Sequence, residues 1–111
     1  QVEGKMDGVS VRVPTADVSL VDLSVVTEKE TTKEEVNAAF KKASESEGMK
    51  KYLEYCELPL VSVDFLGNPH SAILDSSQTF VKKNLVKVFA WYDNEYGYSE
   101  RVVDLIEFMM R

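Results

Sequence analysis

Arg12 is the first side chain whose chemistry could serve a site. It lies at residues 9–13, Val-Ser-Val-Arg-Val, where the alternation predicts a strand with the valines facing the core and Arg12 on the opposite side. A guanidinium is permanently charged and offers paired, planar donors, which suit a phosphate dianion. A solvent-facing strand arginine is the common alternative, and on this pattern alone it is the favoured one.

Asn94 and Tyr98 form a second candidate group. Asn94 follows the most apolar predicted strand and precedes the last predicted helix, where asparagine often serves only as an N-cap. Its amide is both donor and acceptor, so it can also match another carboxamide. Tyr98 belongs to the apolar stripe of that helix, where core packing is the default. Gly97 is unfavourable in a first helical turn, which is explained either by a close approach of backbone there or by a substitution with no structural consequence.

Cys56 and His70 are the only cysteine and histidine, and together they could suggest a nucleophile and its base. Glu54 and Glu57 lie beside Cys56 and disfavour the thiolate that a nucleophile needs. His70 follows Pro69 in a turn, with no obvious carboxylate to orient its ring. We therefore reject a catalytic Cys56–His70 pair. No Cys/His cluster in the sequence suggests a metal site.

The composition narrows the class of protein. A net charge of -6 argues against binding nucleic acid or an anionic membrane surface, since both require a cationic face. No apolar run approaches the roughly 20 residues that cross a bilayer, and the first residues show no signal peptide. A single cysteine cannot form an internal disulfide, which fits a reducing compartment, and we expect a cytoplasmic protein.

The first half of the chain predicts a second strand and a helix. Residues 17–27 form a strand with large apolar side chains on both faces, which indicates that both faces are at least partly covered. Thr31 or Thr32 then caps a helix that ends near Gly48. The apolar stripe of this helix is Val36, Ala39, Phe40 and Ala43.

The second half predicts several strands and a last helix. Residues 85–92 alternate most clearly, Gly-Asn-Pro at residues 67–69 forms a turn, and the last helix has its apolar stripe at Tyr98, Val102, Leu105, Ile106 and Met109. Shorter strands are predicted at residues 52–56, 60–65, 71–74 and 79–81. This order is typical of an α+β fold with a mostly antiparallel or mixed sheet and helices packed on one face. One domain accounts for residues 1–111.

Two segments are far more specific than this periodicity. The first is Arg-Val-Pro-Thr at residues 12–15, followed by Val-Ser-Leu-Val-Asp-Leu at 18–23. The second runs from Leu-Val-Lys-Val at 85–88 through Trp-Tyr-Asp-Asn-Glu at 91–95 to Gly-Tyr-Ser and Val-Val-Asp-Leu. In this order they resemble the closing motifs of the catalytic domain of phosphorylating, NAD-dependent glyceraldehyde-3-phosphate dehydrogenases.

The resemblance implies an enzyme that converts glyceraldehyde 3-phosphate, NAD and inorganic phosphate to 1,3-bisphosphoglycerate and NADH. In that family the arginine matching Arg12 contacts substrate or inorganic phosphate. The residue matching Asn94 contacts the nicotinamide, and the one matching Tyr98 lies beside it. Tyr96 stands where the family has a smaller residue, which could alter local packing. The alternatives are an erythrose-4-phosphate dehydrogenase paralogue and a non-catalytic interaction fragment.

Two parts of the resembling enzymes have no counterpart in the sequence. The glycine-rich turn of the NAD-binding Rossmann domain does not occur, and neither does the Ser-Cys-Thr-Thr-Asn-Cys segment that carries the nucleophile and precedes the catalytic histidine. The resemblance therefore makes this chain the C-terminal portion of a catalytic domain, and we expect it to be inactive alone.

A subunit contact is expected on one face of the sheet. Two helices can cover only one face, and the resembling enzymes are homotetramers, so the helix-free face should meet a second copy of the chain. The patch would contain Val18, Leu20 and Val26 together with either Val86, Val88 and Tyr92 or Leu85, Phe89 and Trp91.

Overall fold

A computed structural model describes residues 3–111. Within these residues, five strands and two α-helices follow one another, with short 3-10 helices at Ser62–Phe65 and Ser76–Gln78. The strands are β1 (Ser19–Val26), β2 (Leu53–Cys56), β3 (Ala72–Asp75), β4 (Phe80–Lys82) and β5 (Leu85–Tyr92), and the helices are α1 (Lys33–Ser44) and α2 (Tyr96–Met109). The predicted α+β class is confirmed.

The sheet is mixed and is built around β5. Strand β1 pairs antiparallel with the whole of β5, from Ser19 opposite Tyr92 to Val26 opposite Leu85. Strands β3 and β4 pair antiparallel with the other side of β5, and β2 runs parallel to β3 at the far edge. The end of β5, where Asn94 follows, therefore lies beside the beginning of β1.

Helix α1 covers part of one face of this sheet, while the residues of β1 on that face stay exposed. Thr32 is its N-cap, and a capping box forms because the Thr32 hydroxyl accepts from the Glu35 N–H while the Glu35 carboxylate accepts from the Thr32 N–H. Val36 and Phe40 then pack against a buried cluster of Leu74, Val86 and Val88. The helix ends at Ser44, four residues before the predicted stop at Gly48, and turns follow it.

A loop covers part of the opposite face. The predicted strand at residues 60–65 is wrong, because Ser62–Phe65 is a 3-10 helix whose Asp64 carboxylate accepts from the Val61 N–H. This turn places the Phe65 ring on Trp91, with 5.7 Å between the ring centroids. Phe65 joins Val18, Cys56 and Ile73 in a second buried cluster.

The predicted strand at residues 9–13 is also wrong. The segment is extended but has no partner strand among residues 3–111, and Val9 and Val11 are 94% and 79% exposed. Alternating valines favour a strand, but a strand forms only when its backbone N–H and C=O groups hydrogen-bond to a neighbouring strand. Arg12 consequently lies on an exposed segment and not on a sheet.

Helix α2 begins at Tyr96 and buries only Gly97. Every residue of its predicted apolar stripe is exposed, so core packing, the alternative weighed for Tyr98, does not occur: Tyr98 is 71% exposed. Polar contacts of its first three turns attach the helix to the rest of the fold. Among the described residues, no helix is long and apolar enough to cross a membrane.

The helix-free face of the sheet is less apolar than predicted. Val86 and Val88 lie under α1 and Val18 is buried, which leaves Leu20, Val26 and Leu85 as its exposed apolar residues. Asp22 and Lys87 interrupt the patch with an ion pair of 2.6 Å, and the Lys87 ammonium lies over the Phe89 ring.

Candidate cofactor site at the start of α2

The turn from β5 into α2 is held by the carboxylate of Asp93, which is only 3% exposed. One carboxylate oxygen accepts from the N–H groups of Glu95 and Tyr96 at 2.9 and 2.8 Å, and the other accepts from the Gly67 N–H at 2.8 Å. Burial by itself raises the pKa of this carboxyl, but the bonds from Tyr96, Gly67 and Glu95 outweigh it and lower the pKa. Asp93 therefore ties the first turn of α2 to the loop before β3.

Gly97 brings the helix close to that same loop. A Cβ atom at this position would lie 3.1 Å from the carbonyl oxygen of His70, a spacing tighter than most real contacts. The predicted close approach of backbone at Gly97 is confirmed. The approach sets the distance between α2 and the loop before β3.

Asn94 is exposed between these two anchors. Its side-chain oxygen accepts from the Ser19 hydroxyl at 2.9 Å, and its amide nitrogen makes no hydrogen bond to residues 3–111. The N-cap position belongs to Glu95, and the Asp93 carboxylate binds the N–H groups of the first turn. The side chain of Asn94 does not cap the helix, and its amide nitrogen is left for another partner.

Asn94 and Tyr98 line one shallow cavity of about 270 Å³. Most of its lining surface is apolar, and Asn94 and Arg101 are among the polar residues that line it. Ligand pockets commonly measure about 300–1,000 Å³, so this cavity is too small for a whole dinucleotide. Its lining residues are Ser71, Tyr92, Asp93, Asn94, Gly97, Tyr98 and Arg101.

Arg101 anchors the wall of this cavity. Its guanidinium lies over the Tyr52 ring at 4.7 Å and donates to the Ser71 hydroxyl at 2.9 Å. Asp104 pairs with Arg101 at 2.8 Å and also with Lys51, and the bond from Lys51 lowers the pKa of Asp104. Sequence reasoning missed this group. The only signal was the spacing of Arg101 and Asp104, which puts them on one helix face.

Arg12 does not line the cavity. It is exposed, and it forms no ion pair within the part of the chain that the structure describes. The structure thus joins two of the three predicted site residues and leaves the third on a separate segment.

Cys56 and His70 belong to different surroundings. Cys56 is buried, and its thiol donates to the Leu58 carbonyl at 3.5 Å. His70 does have an orienting carboxylate, contrary to prediction: its Nδ1 lies 3.1 Å from a Glu54 oxygen and 2.9 Å from the Asn68 side-chain oxygen. Within residues 3–111, no group of three or more His, Cys, Asp or Glu residues could hold a metal ion.

Comparison with known proteins identifies the protein family. The family model described as glyceraldehyde 3-phosphate dehydrogenase, C-terminal domain, matches residues 1–94. Glyceraldehyde-3-phosphate dehydrogenase 2 of Staphylococcus aureus strain MRSA252 is 57% identical over 108 residues, which are 96% of this chain and 30% of that protein. Glyceraldehyde-3-phosphate dehydrogenase 1 of Bacillus cereus is 56% identical over 110 residues, 98% of this chain and 33% of that protein.

This chain belongs to the glyceraldehyde-3-phosphate dehydrogenase family and corresponds to its C-terminal domain. The resemblance inferred from its motifs is confirmed. A Streptomyces avermitilis relative, glyceraldehyde-3-phosphate dehydrogenase 2, is 53% identical over 98% of this chain and 32% of its own length. The chain thus spans about a third of the length of these relatives.

Proposed function

We propose that this chain is the part of a phosphorylating, NAD-dependent glyceraldehyde-3-phosphate dehydrogenase that receives the nicotinamide ring and helps to bind phosphate. The observation that carries the proposal is the small cavity that Asn94 and Tyr98 both line. Its aromatic walls and the amide nitrogen of Asn94, unpaired within residues 3–111, fit a flat ring that bears a carboxamide. The enzyme would be glycolytic and cytoplasmic, and it would assemble as a homotetramer.

Bound NAD supplies the acceptor for the hydride that leaves the aldehyde substrate. Asn94 holds the carboxamide of the ring by a hydrogen bond. A nicotinamide ring contacted only on its faces could bind in two orientations related by a flip. The hydrogen bond from Asn94 therefore selects the face that is presented to the substrate. Tyr98 covers the side of the ring and excludes water. The nucleophile, the base and the remaining cofactor contacts come from parts of the enzyme outside this chain, so the chain alone is inactive.

Arg12 is the residue proposed to bind phosphate, either of the substrate or as free inorganic phosphate. Its exposed guanidinium has no carboxylate partner in the described residues, so its charge is available to a ligand. Both ligands are anions and the chain carries a net charge of -6. A local cation is therefore needed to offset the repulsion.

Reciprocal substitutions in the intact dehydrogenase carrying this segment test both contacts. Asn94→Ala should weaken NAD binding and slow hydride transfer while leaving the KM for phosphate near wild type. Arg12→Leu should lower kcat/KM for substrate and phosphate about ten- to a hundredfold, because a charge-assisted bond contributes about 1.5–3 kcal/mol, with NAD binding unchanged.

Glu95→Ala is the matched control for Asn94, since Glu95 is an exposed neighbour that does not line the cavity. Its Kd for NAD should equal that of wild type. NAD binding that is insensitive to Asn94→Ala would contradict the cofactor contact. Phosphate kinetics that are insensitive to Arg12→Leu would make Arg12 an ordinary surface arginine.

A further inference from the structure

The bond between Ser19 and Asn94 joins residues 75 positions apart in the sequence. It exists because β1 pairs with β5 in a register that sets Ser19 opposite Tyr92, two residues before Asn94. Ser19 does not line the cavity, whereas Asn94 does. The amide oxygen is thus tied on the side of β1, and the amide nitrogen is the polar atom of Asn94 left for a ligand.

Backbone strain lies immediately before Ser19. Val18 has a φ of 72°, a left-handed conformation that is a genuine outlier for a β-branched residue. Its side chain is nevertheless buried in the cluster with Phe65 and Ile73. Such strain persists only where the surroundings over-determine it, and it concentrates at functional sites. The packing of Val18 therefore fixes the beginning of β1, where the Ser19 hydroxyl meets Asn94.

We infer that Ser19 is a positioning residue that holds the Asn94 amide with its nitrogen toward the ligand. An asparagine amide free to rotate presents either its oxygen or its nitrogen, and only the nitrogen can donate to a carbonyl oxygen. By engaging the amide oxygen, Ser19 makes the site selective for a ligand that offers an acceptor, such as the carboxamide oxygen of nicotinamide. This inference rests on the proposed cofactor contact of Asn94.

A double-mutant cycle in the intact dehydrogenase tests the role, with the Kd of NAD measured by titration calorimetry. Ser19→Ala should weaken binding about three- to tenfold, as expected for the loss of one neutral hydrogen bond. Ser19→Thr keeps the hydroxyl on a strand that tolerates β-branching and should restore the affinity. Added to Asn94→Ala, the Ser19→Ala change should have no further effect.

Transferred nuclear Overhauser effects on bound NAD give a readout independent of activity. Wild type should hold the nicotinamide in one orientation about its glycosidic bond, and Ser19→Ala should show a mixture of two. Ser99→Ala is the matched control, since the Ser99 hydroxyl donates to the Glu95 carbonyl and does not touch Asn94. Thermal unfolding of each variant should match wild type, as expected if the fold is retained.

The outcomes distinguish a failure of the Asn94 cofactor contact from a failure of the Ser19 positioning role. An unchanged Kd in Asn94→Ala overturns the cofactor contact and with it the role of Ser19. If Asn94→Ala weakens NAD binding but Ser19→Ala leaves the Kd unchanged, only the role of Ser19 is overturned. A Ser19→Ala effect that persists in the Asn94→Ala background overturns it too, because Ser19 would then act by another route.

Discussion

At the scale of single residues, Asp93 and its neighbour Asn94 divide two tasks that sequence alone cannot assign. Both side chains can accept from the free N–H groups at a helix start. Asp93 is the one that does so, and it also binds the Gly67 N–H from a distant loop. Asn94 is therefore left with an amide directed outward.

Replacing Asp93 by Asn should destabilise the chain by about 1–3 kcal/mol at pH 7. The new amide nitrogen faces backbone N–H groups that need an acceptor, and a buried donor without a partner carries that cost. Urea denaturation at one fixed protein concentration measures it. Asp22→Asn is the matched control, because its half-exposed ion pair with Lys87 contributes only about 0–1 kcal/mol.

The loss caused by Asp93→Asn should also depend on pH. The folded pKa of Asp93 is lowered from the ordinary 3.8, so its carboxylate stabilises the fold fully above that value. The stabilisation is lost as pH falls through the lower folded pKa. The difference between wild type and variant should thus stay constant from neutral pH to about pH 5 and shrink below about pH 4. A difference that grows on acidification would contradict this account of Asp93.

At the scale of elements, the position of α2 depends on a contact too close for a side chain. Gly97→Ala should destabilise the chain by about 1 kcal/mol, because the carbonyl of His70 cannot move away without shifting a loop already tied to Asp93 and Arg101. Thermal unfolding measures the change. A gain in stability, as expected from helix propensity alone, would show that the loop carrying His70 moves to accommodate the new Cβ atom.

Gly48→Ala provides the matched control for Gly97. A Cβ atom at Gly48 meets no atom within 4 Å, and its φ lies outside the left-handed range. The substitution should therefore be neutral or stabilise by up to about 1 kcal/mol through the unfolded state. The two glycines differ in surroundings and not in chemistry, so opposite signs would isolate the contact with His70.

The elements that sequence predicts well are those with a complete local pattern. Strand β5 and helix α1 carry unbroken periods, and α1 also carries its capping box at Thr32 and Glu35. Residues 9–13 and the stripe of α2 carry equally clear patterns but are exposed. A hydrophobic period shows that one face of a helix or strand is apolar. It does not show whether another part of the protein covers that face.

The site was predictable only where a motif carried it. Asn94 and Tyr98 are candidates by resemblance, and Gly97 is singled out by its unusual position in a helix. Ser19, Asp93 and Arg101 act through partners 75, 26 and 30 residues away, which no local spacing reveals. Their roles follow from strand register and loop packing, so they required the structure.

At the scale of the whole molecule, the chain exposes more surface than a compact protein of its mass. Its accessible area is 8581 Å², against about 6,200 Å² expected for a monomer of this mass. Its radius of gyration is 15.1 Å, against about 13 Å expected for this length. The excess lies on β1, α2 and the segment before β1, where apolar side chains face outward.

The chain should therefore self-associate, with the helix-free sheet face as one contact. Val26, Leu20 and Leu85 are 73%, 43% and 41% exposed there, and burying them favours association by a few kcal/mol before entropic losses. Light scattering over a concentration series measures the mass. A double Leu20→Lys, Val26→Lys variant should shift the series toward monomer, and a wild-type chain that stays monomeric at high micromolar concentration would contradict the contact.

The central claim, that this segment receives the nicotinamide ring, is tested most directly by a crystal structure of the intact dehydrogenase with NAD bound. The account predicts that the ring occupies the cavity between Asn94 and Tyr98. The Asn94 amide nitrogen should lie about 2.7–3.2 Å from the carboxamide oxygen, with the Ser19 hydroxyl still on the Asn94 side-chain oxygen. A nicotinamide ring bound elsewhere, with Asn94 facing only solvent, would contradict the account.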